Sequence, residues 1–312
     1  MNLEADVQRL LVLIKQAGRP ELDSLPPADA RLAYAAGRTV LQPDREDVAE
    51  ARDFTIPGLG GPIPVRLYRG IGTDAAARLP CLVFFHGGGW VIGDIDSHDQ
   101  ICRRIANAGR AAVLSVDYRL APEHKFPAAF DDCVSAMRFA VQHSSEIGVD
   151  PTKVAVGGDS AGGNLAAACA LVARDSGIQL THQTLIYPVT DMGMGHRSYQ
   201  RVVEGLPLVA KTMGWFVDHY LRDEADRLDW RASPLRASTL KGVAPATIIL
   251  AAHDPLADEG QAYATRLELD GVLVTCAYFS GQIHGFVSMG KMLRASDIAI
   301  DLAASTLRAS WV

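Results

Sequence analysis

An open α/β sheet, mostly parallel, of about eight strands with helices on both faces, is the fold this sequence predicts. Three observations predict it. Short uninterrupted apolar runs alternate with helix-length segments, a hairpin pattern precedes them, and one run leads through a glycine turn directly into an alanine-rich helix. Strands covered by helices on both faces read as continuous Val/Ile/Leu runs, because no face meets water. The runs lie at residues 81–85, 112–116, 154–156, 184–187, 247–250 and 272–276.

Before them, Phe54 to Ile56 and Val65 to Arg69 alternate at period two around a Gly/Pro turn, which is the pattern of an antiparallel hairpin. Residues 1–50 read as helical pieces separated at Pro26 and Pro27. Residues 191–235 carry no strand pattern and place Leu206, Val209, Met213, Trp215 and Phe216 among polar residues. Long insertions in compact domains are often functional, so this one is a candidate lid; the alternative is a helical excursion with no part in binding. The expected organisation is therefore a core from 51–190 and 236–312, an N-terminal helical segment 1–50, and an insertion 191–235.

Composition narrows the function classes. At 48% apolar and 21% charged residues the chain is an ordinary folded one, and a net charge of −6 gives it no general attraction for nucleic acid or an anionic membrane. Its five cysteines are odd in number and form no C-x-x-C pair, which argues against a zinc site or a disulfide framework. Cys81 in an apolar run and Cys169 in the Ala-rich segment are expected to be small buried hydrophobes. The apolar stretch Leu10 to Ile14 is flanked by Arg9 and Lys15 and reads as one face of an amphipathic helix, not a leader. No run approaches the roughly 18 apolar residues of a membrane span. A cytoplasmic location is expected.

The chemistry concentrates in three places. Gly158-Asp159-Ser160-Ala161-Gly162 matches G-x-S-x-G, with a strand before it and a helix after it, the setting in which that motif is meaningful. A sharp strand-to-helix turn lifts the serine oxygen above the sheet. It also aims the first N–H groups of the helix at the reacting carbonyl. The second place is His86-Gly87-Gly88-Gly89-Trp90, just after the 81–85 run, a glycine loop of the oxyanion type. A tetrahedral intermediate carries its charge on the former carbonyl oxygen, and closely approaching backbone N–H groups stabilise it. Gly88 and Gly89 are assigned as donors, with Ala161 as the third. His86 is expected to anchor the loop. Trp90 either walls the acyl pocket or packs beneath the loop.

The third place is the late strand ends. In this order of elements the nucleophile precedes an acid and the acid precedes a histidine. His253 and His284 are the late candidates, and His284, in the glycine-bracketed Gly281-Gln-Ile-His284-Gly-Phe286 loop, is the better placed base. Asp254, directly after the 247–250 run, is the acid that would fix its tautomer. Asp258 and Glu259 compete but fall where a helix should begin. Contacts to substrate are expected from Trp90, Asp159, Leu206, Val209, Met213, Trp215, Phe216 and Phe286. Asp117, Arg119 and Glu123 are expected to pair as a charge network under the site.

With these residues in hand the sequence resembles the hormone-sensitive-lipase family (bacterial family IV) of α/β-hydrolase esterases. Five motifs carry the resemblance in order: His86 to Gly89, Tyr118-Arg-Leu-Ala-Pro-Glu123, Gly158 to Gly163, Asp254-Pro-Leu-Ala-Asp-Glu-Gly260, and His284-Gly-Phe286. The resemblance implies an α/β-hydrolase fold with a helical cap built from the N-terminal helices and the insertion. It implies a serine carboxylesterase acting on small ester substrates of short to medium chain, with no metal and no cofactor. Homodimers are frequent in that family. An amidase, a lactonase or a long-chain lipase would share these motifs, as would a ligand-binding receptor on the same scaffold.

Overall fold

The computed structural model describes residues 2–312. Its strands are β1 (Glu50–Ile56), β2 (Ile63–Arg69), β3 (Leu79–Phe85), β4 (Ala112–Val116), β5 (Val149–Asp159), β6 (His182–Ile186), β7 (Ala246–His253) and β8 (Val274–Ile283). They form one eight-stranded sheet in the order β1-β2-β4-β3-β5-β6-β7-β8. The hairpin pair β1–β2 and the β2–β4 pair are antiparallel; every later pair is parallel. The helices are α1 (Ala5–Ala17), α2 (Pro27–Leu41), α3 (Asp99–Gly109), α4 (Ala128–Gln142), α5 (Ala161–Asp175), α6 (Arg197–Arg201), α7 (Ala210–Tyr220), α8 (Ala257–Leu269) and α9 (Ala295–Ser310).

The side-chain alternation of each strand divides the core in two. Cys81, Val83 and Phe85 of β3 pack with α4, α5 and α8, while Leu82 and Phe84 pack with α3 and α9. This is why the inner strands show no polar alternation: β4 is buried at every position. The last apolar run behaves differently. β8 is the sheet edge, and its first seven residues are exposed or half-buried, so an apolar run here does not mean two covered faces.

Pro26 and Pro27 do separate two helices, but Pro27 also starts the second one. It occupies the first turn of α2, where its missing N–H costs nothing and its fixed φ suits the helix. The N-terminal segment lies against the insertion: Asp23 accepts hydrogen bonds from Lys211 Nζ at 3.2 Å and Thr212 Oγ1 at 3.3 Å. Within 191–235 the regular structure is α6, α7, a 3-10 turn at Glu224–Leu228 and the start of another at Pro234–Arg236. Among the described residues, no helix is long and apolar enough to cross a membrane.

Parallel strands gather their C-terminal ends on one edge, and ligands of open α/β sheets sit in the crevice beyond those ends. Here the ends of β3, β5, β7 and β8 carry His86 to Trp90, Ser160, Asp254 and His284.

Candidate active site

Ser160 follows β5 directly and precedes α5. Its φ of 55° and ψ of −116° are a strained conformation for a residue with a side chain. The strain is held by packing. Ser160 N–H donates to Ile186 O at 2.8 Å, and its own carbonyl accepts from Asn164 N at 3.0 Å. A Cβ at either Gly158 or Gly162 would run into the Phe85 carbonyl oxygen, so the turn comes this close to β3 only because both are glycine.

His284 Nε2 lies 3.0 Å from Ser160 Oγ, and His284 Nδ1 lies 2.6 Å from Asp254 Oδ2. Asp254 is fully buried, and its other oxygen accepts from Leu256 N at 2.8 Å. The three residues span 124 positions from Ser160 to His284 yet form one hydrogen-bonded row. His253, the alternative base, points elsewhere: its Nε2 is 3.3 Å from Asn2 O and it is not in contact with the serine. Asp258 pairs with Arg201 at 2.7 Å. Glu259 is buried and accepts from Thr190 N at 2.7 Å and Tyr199 Oη at 3.0 Å. Burial pushes the Glu259 carboxyl up to about 8 against those hydrogen bonds.

The glycine loop is pinned from below. Gly87 N–H donates to Asp159 Oδ1 at 2.9 Å, and that same oxygen meets His98 Nε2 at 3.2 Å. His86 is fully buried, its Nδ1 is 2.8 Å from Gly87 O, and its ring stacks on Tyr118 at 4.2 Å. Burial, reinforced by neighbouring His98, pushes His86 down to about 4 and keeps it neutral at physiological pH. Tyr118 Oη donates to His86 O at 2.7 Å. The loop reverses through Gly88 at φ 125° and Gly89 at φ 56°, and Gly88 O accepts from Val91 and Ile92. Among the described residues, the N–H groups of Gly88, Gly89 and Ala161 have no protein acceptor. Arg31 reaches this loop from α2, donating to Val91 O at 2.8 Å and Ala121 O at 2.9 Å while pairing with Glu123.

A cavity of about 370 Å³ opens over Ser160 and His284. Its walls correct much of the expected substrate set. Phe216 lines it, as does Met213, and Asp159 borders it. Trp90 does not: it is fully buried and stacks on Tyr220 at 4.4 Å beneath the loop. Phe286 is likewise fully buried, packed on Phe279 at 5.0 Å. Leu206 and Val209 pack into the core beside α9, leaving their neighbours Pro207 and Leu208 at the cavity. Trp215 leans on Phe216 at 5.1 Å and His219 at 4.3 Å, away from the lining. Half of the wall comes from the N-terminal segment, including Leu10, Leu13, Ile14, Tyr34 and Arg38. The amphipathic spacing at Leu10 to Ile14 and the cap implied by the family resemblance pointed to this segment, but neither named its lining residues.

The expected charge network under the site is not formed either. Arg119 pairs with Asp132 of α4 at 2.8 Å, and Glu123 pairs with Arg31 at 2.6 Å. Asp117 has neither partner; burial first, then nearby Asp94 and Asp96, push its carboxyl up to about 6. The five cysteines are free, four of them buried. Among the described residues, no cluster of three or more His, Cys, Asp or Glu is placed to hold a metal ion.

Comparison with known proteins gives the same assignment from several directions. The model of a family described by the alpha/beta hydrolase fold matches residues 82–288. A carboxylic ester hydrolase of Mycobacterium tuberculosis, LipN, is 44% identical over 83% of this chain and 70% of its own length. An ethyl acetate hydrolase of Pseudomonas putida is 36% identical over 99% of both chains. Among solved structures, the α/β-hydrolase enzyme LAE6 from the metagenome of Lake Arreo superposes with a TM-score of 0.95. It is 41% identical and covers 99% of this chain and 98% of that one. The chain therefore belongs to the α/β-hydrolase-fold family, in its hormone-sensitive-lipase type.

Proposed function

We propose that this protein is a serine carboxylesterase in which Ser160 is the nucleophile, His284 the proton carrier and Asp254 the orienting acid. The observation that carries the reading is the hydrogen-bonded row Asp254–His284–Ser160, at 2.6 and 3.0 Å, beneath a mainly apolar cavity. Ser160 Oγ attacks the ester carbonyl while His284 Nε2 takes its proton. Asp254, buried and already bonded to Nδ1, fixes the tautomer that leaves Nε2 free and stabilises the imidazolium. The oxyanion is received by the N–H groups of Gly88, Gly89 and Ala161, which need no reorganisation because nothing else engages them. His284 returns the proton to the leaving alcohol, then activates water to release the acid.

The substrate is a small-molecule ester with a short to medium acyl chain. A cavity of about 370 Å³ lies at the small end of ligand sites, which run from about 300 to 1,000 Å³. The curated relative acting on ethyl acetate fits the same size class. The division of labour we propose is a catalytic core of 51–190 and 236–312, with 1–50 and 191–235 forming a cap. The Asp23–Lys211 contact joining the two cap segments, and their joint lining of the cavity, support this. Five free cysteines suit a reducing, cytoplasmic compartment.

The test is hydrolysis of p-nitrophenyl esters from acetate to palmitate by the intact protein and by Ser160→Ala. Turnover confined to short and medium chains and abolished in the variant is expected. A folded protein that turns over none of these esters would remove the esterase reading. Preference for chains beyond about ten carbons with activation at an oil interface would make it a lipase.

A further inference from the structure

Arg38 is the feature of the cavity that ester hydrolysis leaves unexplained. It sits on the inner face of α2, only 9% exposed, in a wall otherwise dominated by Leu10, Leu13, Ile14, Leu208 and Phe216. A guanidinium carries five N–H donors in a planar fork, and burying it is costly unless acceptors meet them. Here Nη1 donates to Ser288 O at 3.3 Å and to Ser288 Oγ, and the Tyr34 phenol lies beside the guanidinium. The guanidinium carbon stands 4.6 Å over the Tyr34 ring. Among the described residues no carboxylate lies within ion-pair distance of Arg38. Asp159, which borders the same cavity, feels the Arg38 charge at a distance, but its hydrogen bonds go to His98 and the Gly87 N–H; Glu21 is an exposed residue of the rim.

The Nη2 edge of the fork lies at the loop that follows His284, in the cavity that Ser160 also lines. Nη2 is 3.9 Å from the place a Cβ of Gly285 would occupy, and Gly285 adjoins His284. A residue needed only to fasten α2 to the loop after His284 would be satisfied by a neutral donor or by a paired cation. An unpaired, desolvated arginine at a cavity wall is instead a half-built carboxylate site, because planar carboxylates match its fork with two parallel charge-assisted bonds.

We propose that the esters this site selects carry a second, free carboxylate, and that Arg38 receives it. The proposal rests on the esterase reading above and names the substrate class for that site. In such a substrate the ester carbonyl faces Ser160 while the carboxylate lies against Arg38 Nε and Nη2. Binding energy gained at the charged end then orients the scissile bond. Arg38 makes no covalent contribution and determines specificity.

The experiment compares monoethyl with diethyl esters of succinate, glutarate and adipate in the wild type, Arg38→Gln, Arg38→Lys and Ser288→Ala. Loss of a charge-assisted pair corresponds to about 10- to 100-fold. Arg38→Gln is therefore expected to lower the monoethyl-to-diethyl ratio of kcat/KM by about that factor, mainly through KM, with Arg38→Lys intermediate. Ser288→Ala removes the side-chain half of the fastening contact but keeps the guanidinium, so its ratio is expected to stay near that of the wild type. Equal losses on charged and neutral esters in Arg38→Gln, or a wild type that discriminates against the monoethyl esters as strongly as Arg38→Gln does, would overturn the proposal and leave Arg38 a fastener. Absence of turnover on every ester, neutral ones included, would instead remove the esterase reading and this proposal with it.

Discussion

α5 and the two N-terminal helices use apolar residues in opposite ways. α5 buries Ala161 to Leu171 without interruption, so each side chain there is satisfied by protein. α1 buries only Val7 and Leu10, and α2 only Ala30 and Arg38. Leu13 is left 50% exposed and Val40 58% exposed, both on the cavity wall. The first arrangement holds atoms still: it fixes the strained Ser160 and the start of the helix behind it. The second leaves apolar surface uncovered at the cavity. The triad and half of the cavity wall are thus carried by different parts of the chain.

The strongest test of that division is Asp254→Asn. The residue is buried and its oxygens meet His284 and Leu256, so a near-isosteric amide keeps the packing but favours the wrong tautomer. A fall in kcat of about 10⁴, with little change in melting temperature, is expected by analogy with other triads. A large loss of stability would show that the row also supports the core.

Arg119→Ala should do the reverse. Asp132 is 1% exposed and would be left as an unpaired buried carboxylate. A loss of about 3 kcal/mol is expected, seen as a melting temperature lower by about 5–10 °C, with kcat of the folded fraction little altered. If turnover falls and melting does not, the Tyr118 to Glu123 block has a chemical part that its contacts do not suggest.

Within the cap, Phe216 and Trp215 are adjacent but only Phe216 lines the cavity. Phe216→Ala should shift acyl-chain preference in kcat/KM by about tenfold, the worth of a methylene or two in an apolar pocket. Trp215→Ala should alter melting more than preference. An equal shift in both would mean the cap moves enough to bring Trp215 to the ligand.

A further test, read only as a pH dependence, concerns Glu259, which ties the chain leaving β6 to α8. Its carboxyl titrates at about 8, above a free carboxyl, so the folded state binds the proton more tightly. The resulting stability is fully present below the unfolded value near pH 4 and is lost as pH rises through about 8. Glu259→Gln cannot titrate. Between pH 5 and 8.5 its melting temperature should therefore fall less than that of the wild type. Parallel curves would mean the carboxylate is ionised throughout.

What the sequence by itself determined is whatever backbone geometry forces on residue type. Gly158 and Gly162 are required by the approach to Phe85, Gly88 and Gly89 by the reversed loop, and the apolar runs by a sheet covered on both faces. Such constraints are local, so they leave motifs, and the Ser160, Asp254 and His284 positions were legible through them. The cavity wall was decided only in the tertiary structure. Trp90, Leu206, Val209, Trp215 and Phe286 are as apolar as Leu13 or Met213, and nothing local distinguishes a side chain that fills the core from one that faces a ligand. The partners of Arg31, Arg38 and Arg119 were equally hidden, because a charge pairs with whichever group the packing of distant segments brings within reach. Arg31 meets a residue 92 positions away and Arg38 one 250 positions away. Hydrophobicity and charge specify that a residue needs a neighbour; only the assembled sheet and cap select which one.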